Sequence, residues 1–343
     1  MNKMFVNKNI NTIFKETLVK EYHAILVRGD INRLEDKSDI DVVIPKDNFI
    51  RASNFFISTI QKSNWKLISY RKIPYLISIV ITNPDLHKLE SLKIDFFDGV
   101  GWCGEVNKNF DKDFFSSNYD ESFLSSAITL VHKLTYAGYL SEKDTNSIKH
   151  NIHDAINFLN ISDLISKEIV LKKQKISLIR KWHLRFRLSG HNLIFFPLWV
   201  IRILRKILII KFLPIKSYQR IIFIVCSDNQ VKTIKNQLIS LYASSGDQIQ
   251  PKLSLEAFIS DKDKFSSTST INFYLSIIKN KIYSYNKNLF LLINTNKKFN
   301  IFNMFFVKFG KYIDISSISS EACLTKLVNE VDIIISQHIK LSK

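Results

Sequence analysis

Cysteine is scarce in this chain: three in 343 residues, Cys103, Cys226 and Cys323, an odd number with no Cys-x-x-Cys spacing. That excludes a disulfide framework, supports no zinc site and fits a reducing cytoplasm. Glycine (8) and proline (6) are also few, which excludes collagen-like and linker-dominated chains. Acidic residues are missing altogether between Glu168 and Asp228, whereas Lys172 to Arg220 holds thirteen Lys or Arg. Met1 to Glu21 lacks both the uninterrupted apolar stretch and the small-residue cleavage site of a secretory leader, so no export is expected. The one long apolar run, His191 to Leu213, carries Arg202, Arg205 and Lys206 near its centre. Each of those charges costs about 2.5–3.5 kcal/mol on insertion scales, which argues against a membrane span. No Gly-x-Ser-x-Gly elbow is present, and Cys103 has no sequence-adjacent base, so hydrolase readings find no support.

What is present is a globular composition, 46% hydrophobic with 12% aromatic residues, in a chain long enough for about two domains. The formal charge is +18, which predicts affinity for polyanions: nucleic acid, nucleotides or an anionic membrane face. Most of that charge lies in residues 172–220. There Leu198, Trp199, Ile203, Leu204, Ile207, Leu208 and Ile210 are set against Arg202, Arg205 and Lys206, which share one helical face at 100° per residue. Such a helix suits an anionic leaflet, and it equally suits a buried connector with a solvated basic stripe. Trp182, His183, Arg185, Phe186 and Arg187 interleave aromatics with charge, the pattern of a nucleic-acid phosphate track.

Hydrophobic periodicity predicts strands at Ala24–Val27, Ile40–Ile44, Trp65–Ser69, Tyr75–Ile81 and Leu92–Phe97, with a helix over Ala52–Ser63. Helices are expected over Glu121–Leu140 and Thr145–Ile161. After the basic segment, Arg220–Cys226 reads as a strand, followed by a helical pattern from Val231 to Tyr242 and another over Ile271–Ile282. Strands are then expected at Leu289–Asn294 and Phe305–Ile313, with a final helix over Ser319–His338. The expected organisation is an α/β domain at 1–115, a helical subdomain at 116–168, a basic amphipathic connector at 169–219 and a small α/β domain at 220–343.

The residues that carry chemistry cluster early. Arg28-Gly29-Asp30 closes the first strand, Ser38-Asp39-Ile40-Asp41 opens the second, and Asp95 lies on a later one. Carboxylates two apart on a strand point to one side, so Asp39 and Asp41 can share a divalent cation while Ile40 enters the core. Asp95 would complete a metal-binding, catalytic triad. Hard oxygen ligands of this kind suit Mg²⁺ carrying a nucleoside triphosphate, with a two-metal arrangement possible. Gly29 after the strand would let backbone amides approach the phosphates. Among the histidines, His132 reads as a helix-face residue packed against Tyr136.

The order strand, Gly turn, Asp-x-Asp strand and later Asp strand resembles the nucleotidyltransferase superfamily that includes DNA polymerase beta. This chain has Gly29-Asp30 where that family has Gly-Ser or Gly-Gly, with Arg28 beside it as a further nucleotide contact. Leu26-Val27-Arg28-Gly29-Asp30, Asp39-Ile40-Asp41, Ile94-Asp95, Gly101-Trp102-Cys103-Gly104 and Val131-His132-Lys133-Leu134 are similar to nucleotidyltransferase-like proteins encoded with bacterial surface-polysaccharide genes. In those the module is followed by a basic stretch and a thymidylate-kinase-like domain. The resemblance implies an α/β fold class: an α+β nucleotidyltransferase domain with a helical subdomain, then a small P-loop-kinase-like domain. Asp228, Lys232 and Thr233 stand where the kinase loop would place its Asp, Lys and Ser or Thr, yet its glycines are gone, so the loop reads as degenerate and without phosphoryl transfer.

Three readings follow. One is a Mg²⁺-dependent transferase moving a nucleotidyl group from a nucleoside triphosphate to an unknown acceptor, in surface-polysaccharide assembly at the inner membrane face. The second is a non-catalytic, membrane-associated scaffold or regulator, and the third a transferase acting on RNA, as in the nucleotidyltransferase toxins.

Overall fold

A computed structural model describes residues 10–27, 39–73, 75–83, 91–103, 105–106, 110, 120–191, 193–212, 221–226, 230, 233–234, 236–237, 289–294, 310–314 and 320–341, some of them, Asp39 and the strands at 221–226 and 289–294 included, by backbone alone. Arg28, Gly29, Gly104, Asp228, Lys232 and the helix expected at 271–282 lie outside these residues. The chain is a mixed α/β protein that divides into two compact units. The first comprises Met1–Thr59, Lys72–Ile77 and Ile94–Ile215, and the second Ile60–Arg71, Ser78–Lys93 and Lys216–Lys343.

In chain order the elements of the N-terminal part are α1 (Ile10–Phe14), a π-turn and α2 (Lys20–Tyr22), β1 (Ile25–Leu26), β2 (Asp39–Ile44), α3 (Phe49–Ile60), β3 (Lys66–Ile73), β4 (Leu76–Thr82) and β5 (Ser91–Asp98). The five strands form one sheet in the order β1-β2-β5-β4-β3, with β1 antiparallel to β2. Helix α3 begins three residues before the periodicity suggests. Pro45 ends β2, and a 3-10 turn over Lys46–Asn48, closed by Asn48 N–H on Pro45 O at 2.8 Å, leads straight into it. The helix buries Ala52, Phe56 and Ile60 at helical spacing, and Phe56 meets Phe14 and the Phe96 ring of β5 edge-to-face, the latter at 5.5 Å.

The hairpin β6 (Gly101–Trp102) and β7 (Glu105–Val106) leads to α4 (Glu121–Tyr136), α5 (Glu142–Ile148), α6 (Ile152–Phe158) and α7 (Lys167–Leu171). Ile25, Val27, Val43 and Phe97 pack with Leu124, Ile128 and Val131 of α4 and with Ile152 and Ile156 of α6 in one buried cluster. Helix α4 stops short of the expected Leu140 because Gly138 turns the chain at φ +83°, a conformation that favours glycine. The single helix expected over Thr145–Ile161 is instead two. Asn151 interrupts it, its side-chain amide donating to Ser122 Oγ and Ser126 Oγ on α4, both at 3.2 Å. Ser141 and Asp144 form a capping box at the start of α5.

The basic segment folds as α8 (Leu178–Leu188) and α9 (Phe196–Phe212). Trp199 and Ile203 of α9 are buried with Trp102, Cys103 and Phe186. No described helix is long and apolar enough to cross a membrane.

In the second unit β8 (Ile221–Cys226) is the centre of a parallel sheet, β10-β8-β9, with β9 at Leu289–Asn294 and β10 at Gly310–Asp314. The described residues 230, 233–234 and 236–237 are helical, with Thr233 exposed. The C-terminal helix α10 (Ser320–Leu341) buries Leu324, Leu327, Val331, Ile334 and Ile335. Its Asp332 accepts the Leu67 N–H of β3, the strand at the sheet's edge, at 2.9 Å, and burial raises that carboxyl's pKa.

Candidate functional site

Alternation along the strands decides where the aspartates point. Phe96 faces α3, so Asp95 and Phe97 take the opposite side, where Phe97 meets His132 of α4 at 4.5 Å. Val43 lies in the cluster with α4, and Asp41, two residues back, faces the same helix directly. Strands β2 and β5 are neighbours, and Gly99 N–H donates to Ile44 O at 2.8 Å, tying their C-terminal ends together. Three residues back from those ends, Asp41 and Asp95 stand at one level of the sheet and on one face. Asp39 opens β2 and is described by backbone alone.

Helix α4 supplies the other half of the site. Ser125 Oγ reaches Leu26 O at 3.1 Å, and Val27 N–H donates to Asp41 O at 2.9 Å. The helix is thereby fixed over the end of β1, just where Arg28 and Gly29 follow in sequence. Two turns further along, Lys133 Nζ donates to Asp41 Oδ2 at 3.3 Å. His132 Nε2 lies 4.0 Å from the same oxygen, with its ring against Phe97 and, as its sequence position suggests, Tyr136 at 4.8 Å. The Asp41 side chain is only 10% exposed, so an attractive cation beside it is electrostatically well placed. Sequence reasoning gave Lys133 no role, since its partner is 92 residues away in the chain.

Carboxylates on one face of adjacent strands suit a hard divalent cation. Asp41 and Asp95 would be two of its ligands and Asp39 the third; among the described residues no trio of His, Cys, Asp or Glu converges. Cys103 offers no reactive thiolate, because burial raises its pKa. The sequence-predicted loop residues Asp228, Lys232 and Thr233 belong to the second unit, where only exposed Thr233 is described.

Asp98, at the end of β5, is a different kind of carboxylate. Burial pushes its pKa up to about 6 against the partial relief of Lys46 and Lys206, and among the described residues nothing hydrogen-bonds its Oδ1. A raised folded-state pKa means the native chain holds the proton that the unfolded chain has lost between about pH 4 and pH 6. Stability therefore falls as pH rises through that window. Asp98→Asn is expected to exceed wild type by about 1–2 kcal/mol at pH 7.5, a value reduced from the full shift for solvent screening. The gain should vanish near pH 4, as read by urea unfolding at both pH values; equal stability differences at the two would contradict this account.

Compared with known proteins, the chain matches no family model, no curated protein and no solved structure.

Proposed function

We propose that this protein is a Mg²⁺-dependent nucleotidyltransferase, with Asp39, Asp41 and Asp95 holding the metal and Arg28 and Gly29 meeting the triphosphate. The observation that carries the reading is the placement of Asp41 and Asp95 on one face of adjacent strands, under a helix that also covers the end of β1. The small parallel sheet of the second unit is read as a degenerate kinase-like domain. The acceptor, assigned by resemblance to surface-polysaccharide assembly, is unidentified.

In the reaction an acceptor hydroxyl oxygen attacks the α-phosphorus, forming a new phosphoester bond. The bond from α-phosphorus to the β-phosphate oxygen breaks, and pyrophosphate leaves with the electron pair. Mg²⁺ at the aspartates would offset charge on the triphosphate and on the leaving pyrophosphate. Asp95 is the candidate to accept the hydroxyl proton. Lys133, which pairs with Asp41 at 3.3 Å, would be the nearby cation for a phosphate carried on the aspartates.

Calorimetric titration with each nucleoside triphosphate, with and without Mg²⁺, tests this. Wild type is expected to bind one triphosphate in a metal-dependent manner, and the Asp39→Asn, Asp41→Asn double variant to lose at least about tenfold in affinity, 1.4 kcal/mol. Absence of metal-dependent binding by folded wild type would favour the scaffold reading. In that reading the Lys133–Asp41 pair is a structural tie, and its loss lowers stability without altering any ligand response.

A further inference from the structure

The connector helix α9 is turned the other way from what its charges suggest. Arg202 and Lys206, expected in one basic stripe with Arg205, converge instead on Glu105 of β7. Arg202 Nε lies 3.2 Å from Glu105 Oε1, Lys206 Nζ pairs with the same oxygen, and His191 Nε2 lies 3.6 Å from Oε2. The Glu105 side chain is 7% exposed, so this clamp is interior at its centre. Together with buried Trp199 and Ile203 it fixes the helix's rotation.

What that rotation leaves outside is aliphatic. Leu198 is 63% exposed, Ile201 62% and Leu208 52%. At 100° per residue these three and exposed Arg205 fall within about 80° of one another, a single face. Its only charge is positive, and no acidic residue occurs anywhere between Glu168 and Asp228. A partner must therefore accept aliphatic side chains and carry negative charge. Nucleic acid meets the second requirement alone, because among the described side chains this face presents no aromatic ring for a base to stack on, and Trp102, Trp182 and Trp199 pack on one another, with Arg185 over Trp102 at 3.6 Å.

We propose that α9 lies flat on an anionic lipid bilayer, with Leu198, Ile201 and Leu208 among the acyl chains and Arg205 at the lipid phosphates. Buried Trp199 and Ile203 set the orientation together with the clamp on Glu105, and the proposal stands whether or not the protein is a transferase.

Flotation of the full chain with vesicles of phosphatidylcholine, alone or mixed with phosphatidylglycerol, tests it. Wild type is expected to float with the mixed vesicles. The Leu198→Gln, Ile201→Gln, Leu208→Gln variant should lose at least about a hundredfold in apparent affinity, from three side chains no longer transferred out of water. Arg205→Gln should lose about fivefold. Because these side chains are exposed in the folded chain, the urea midpoint of the triple variant should equal that of wild type. Failure of wild type to float, or equal flotation by the triple variant, would overturn the proposal. So would a fall in the variant's urea midpoint, which would show the face covered within the chain. Wild-type dimers that become monomers in the variant, or bound nucleic acid that the variant sheds, would overturn it in favour of those partners.

Discussion

Asp95→Asn is expected to slow pyrophosphate release about 10²–10⁴-fold, the usual contribution of a positioned general base. Asparagine keeps the volume and the hydrogen-bonding shape of a buried aspartate but cannot take a proton. The substitution therefore asks which of two tasks Asp95 performs. If it accepts the hydroxyl proton, metal-dependent triphosphate binding persists while release of pyrophosphate, with water as the fallback acceptor, falls by that factor. If it is mainly a metal ligand, binding and release fall together, as in the Asp39→Asn, Asp41→Asn variant. Unchanged release would remove Asp95 from the chemistry altogether. The geometry makes both tasks available, since Asp95 is buried at the level of Asp41 on the neighbouring strand and on the face that α4 covers.

Much of this candidate site is legible in the sequence because it depends on local, period-two information. Asp39-Ile40-Asp41-Val42-Val43-Ile44 and Leu92-Lys93-Ile94-Asp95-Phe96-Phe97 each announce a strand with its acids on one side, and both strands form where expected. What the sequence does not reveal is every element set by partners far along the chain. Lys133 reads as one cation on a helix flank until the fold brings β2 beneath it. Glu105 reads as a lone acid in a polar stretch, yet it gathers cations from nearly a hundred residues on and inverts the meaning of the basic stripe. The break between α5 and α6 depends on Asn151 finding two serines on α4, a contact that no helical periodicity encodes.

The stability of the α9 orientation rests on one side chain above others, and Trp199→Ala is expected to cost about 3–5 kcal/mol. Trp199 is 2% exposed, with Phe186 at 5.3 Å and Trp182 at 5.7 Å, both edge-to-face, and Phe196 stacked at 6.0 Å. Removing the indole empties the centre of that group while Trp102 and Arg185 on the β6 side hold their places. Truncation should therefore leave a cavity that the neighbours fill only partly. Trp199→Phe is expected to behave quite differently. The indole Nε1 is buried with no hydrogen-bond acceptor among the described residues, so its removal ends a desolvation penalty that offsets part of the lost contact area. The phenylalanine variant should then lie within about 1.5 kcal/mol of wild type. Urea unfolding followed by the change in tryptophan fluorescence separates the two. A small loss for alanine would show that α9 is not held by this cluster. A loss for phenylalanine as large as that for alanine would show that the indole nitrogen has a partner whose bond matters. Since the same cluster turns Leu198, Ile201 and Leu208 outward, Trp199→Ala should also weaken flotation with anionic vesicles, while Trp199→Phe should leave it near the wild-type level.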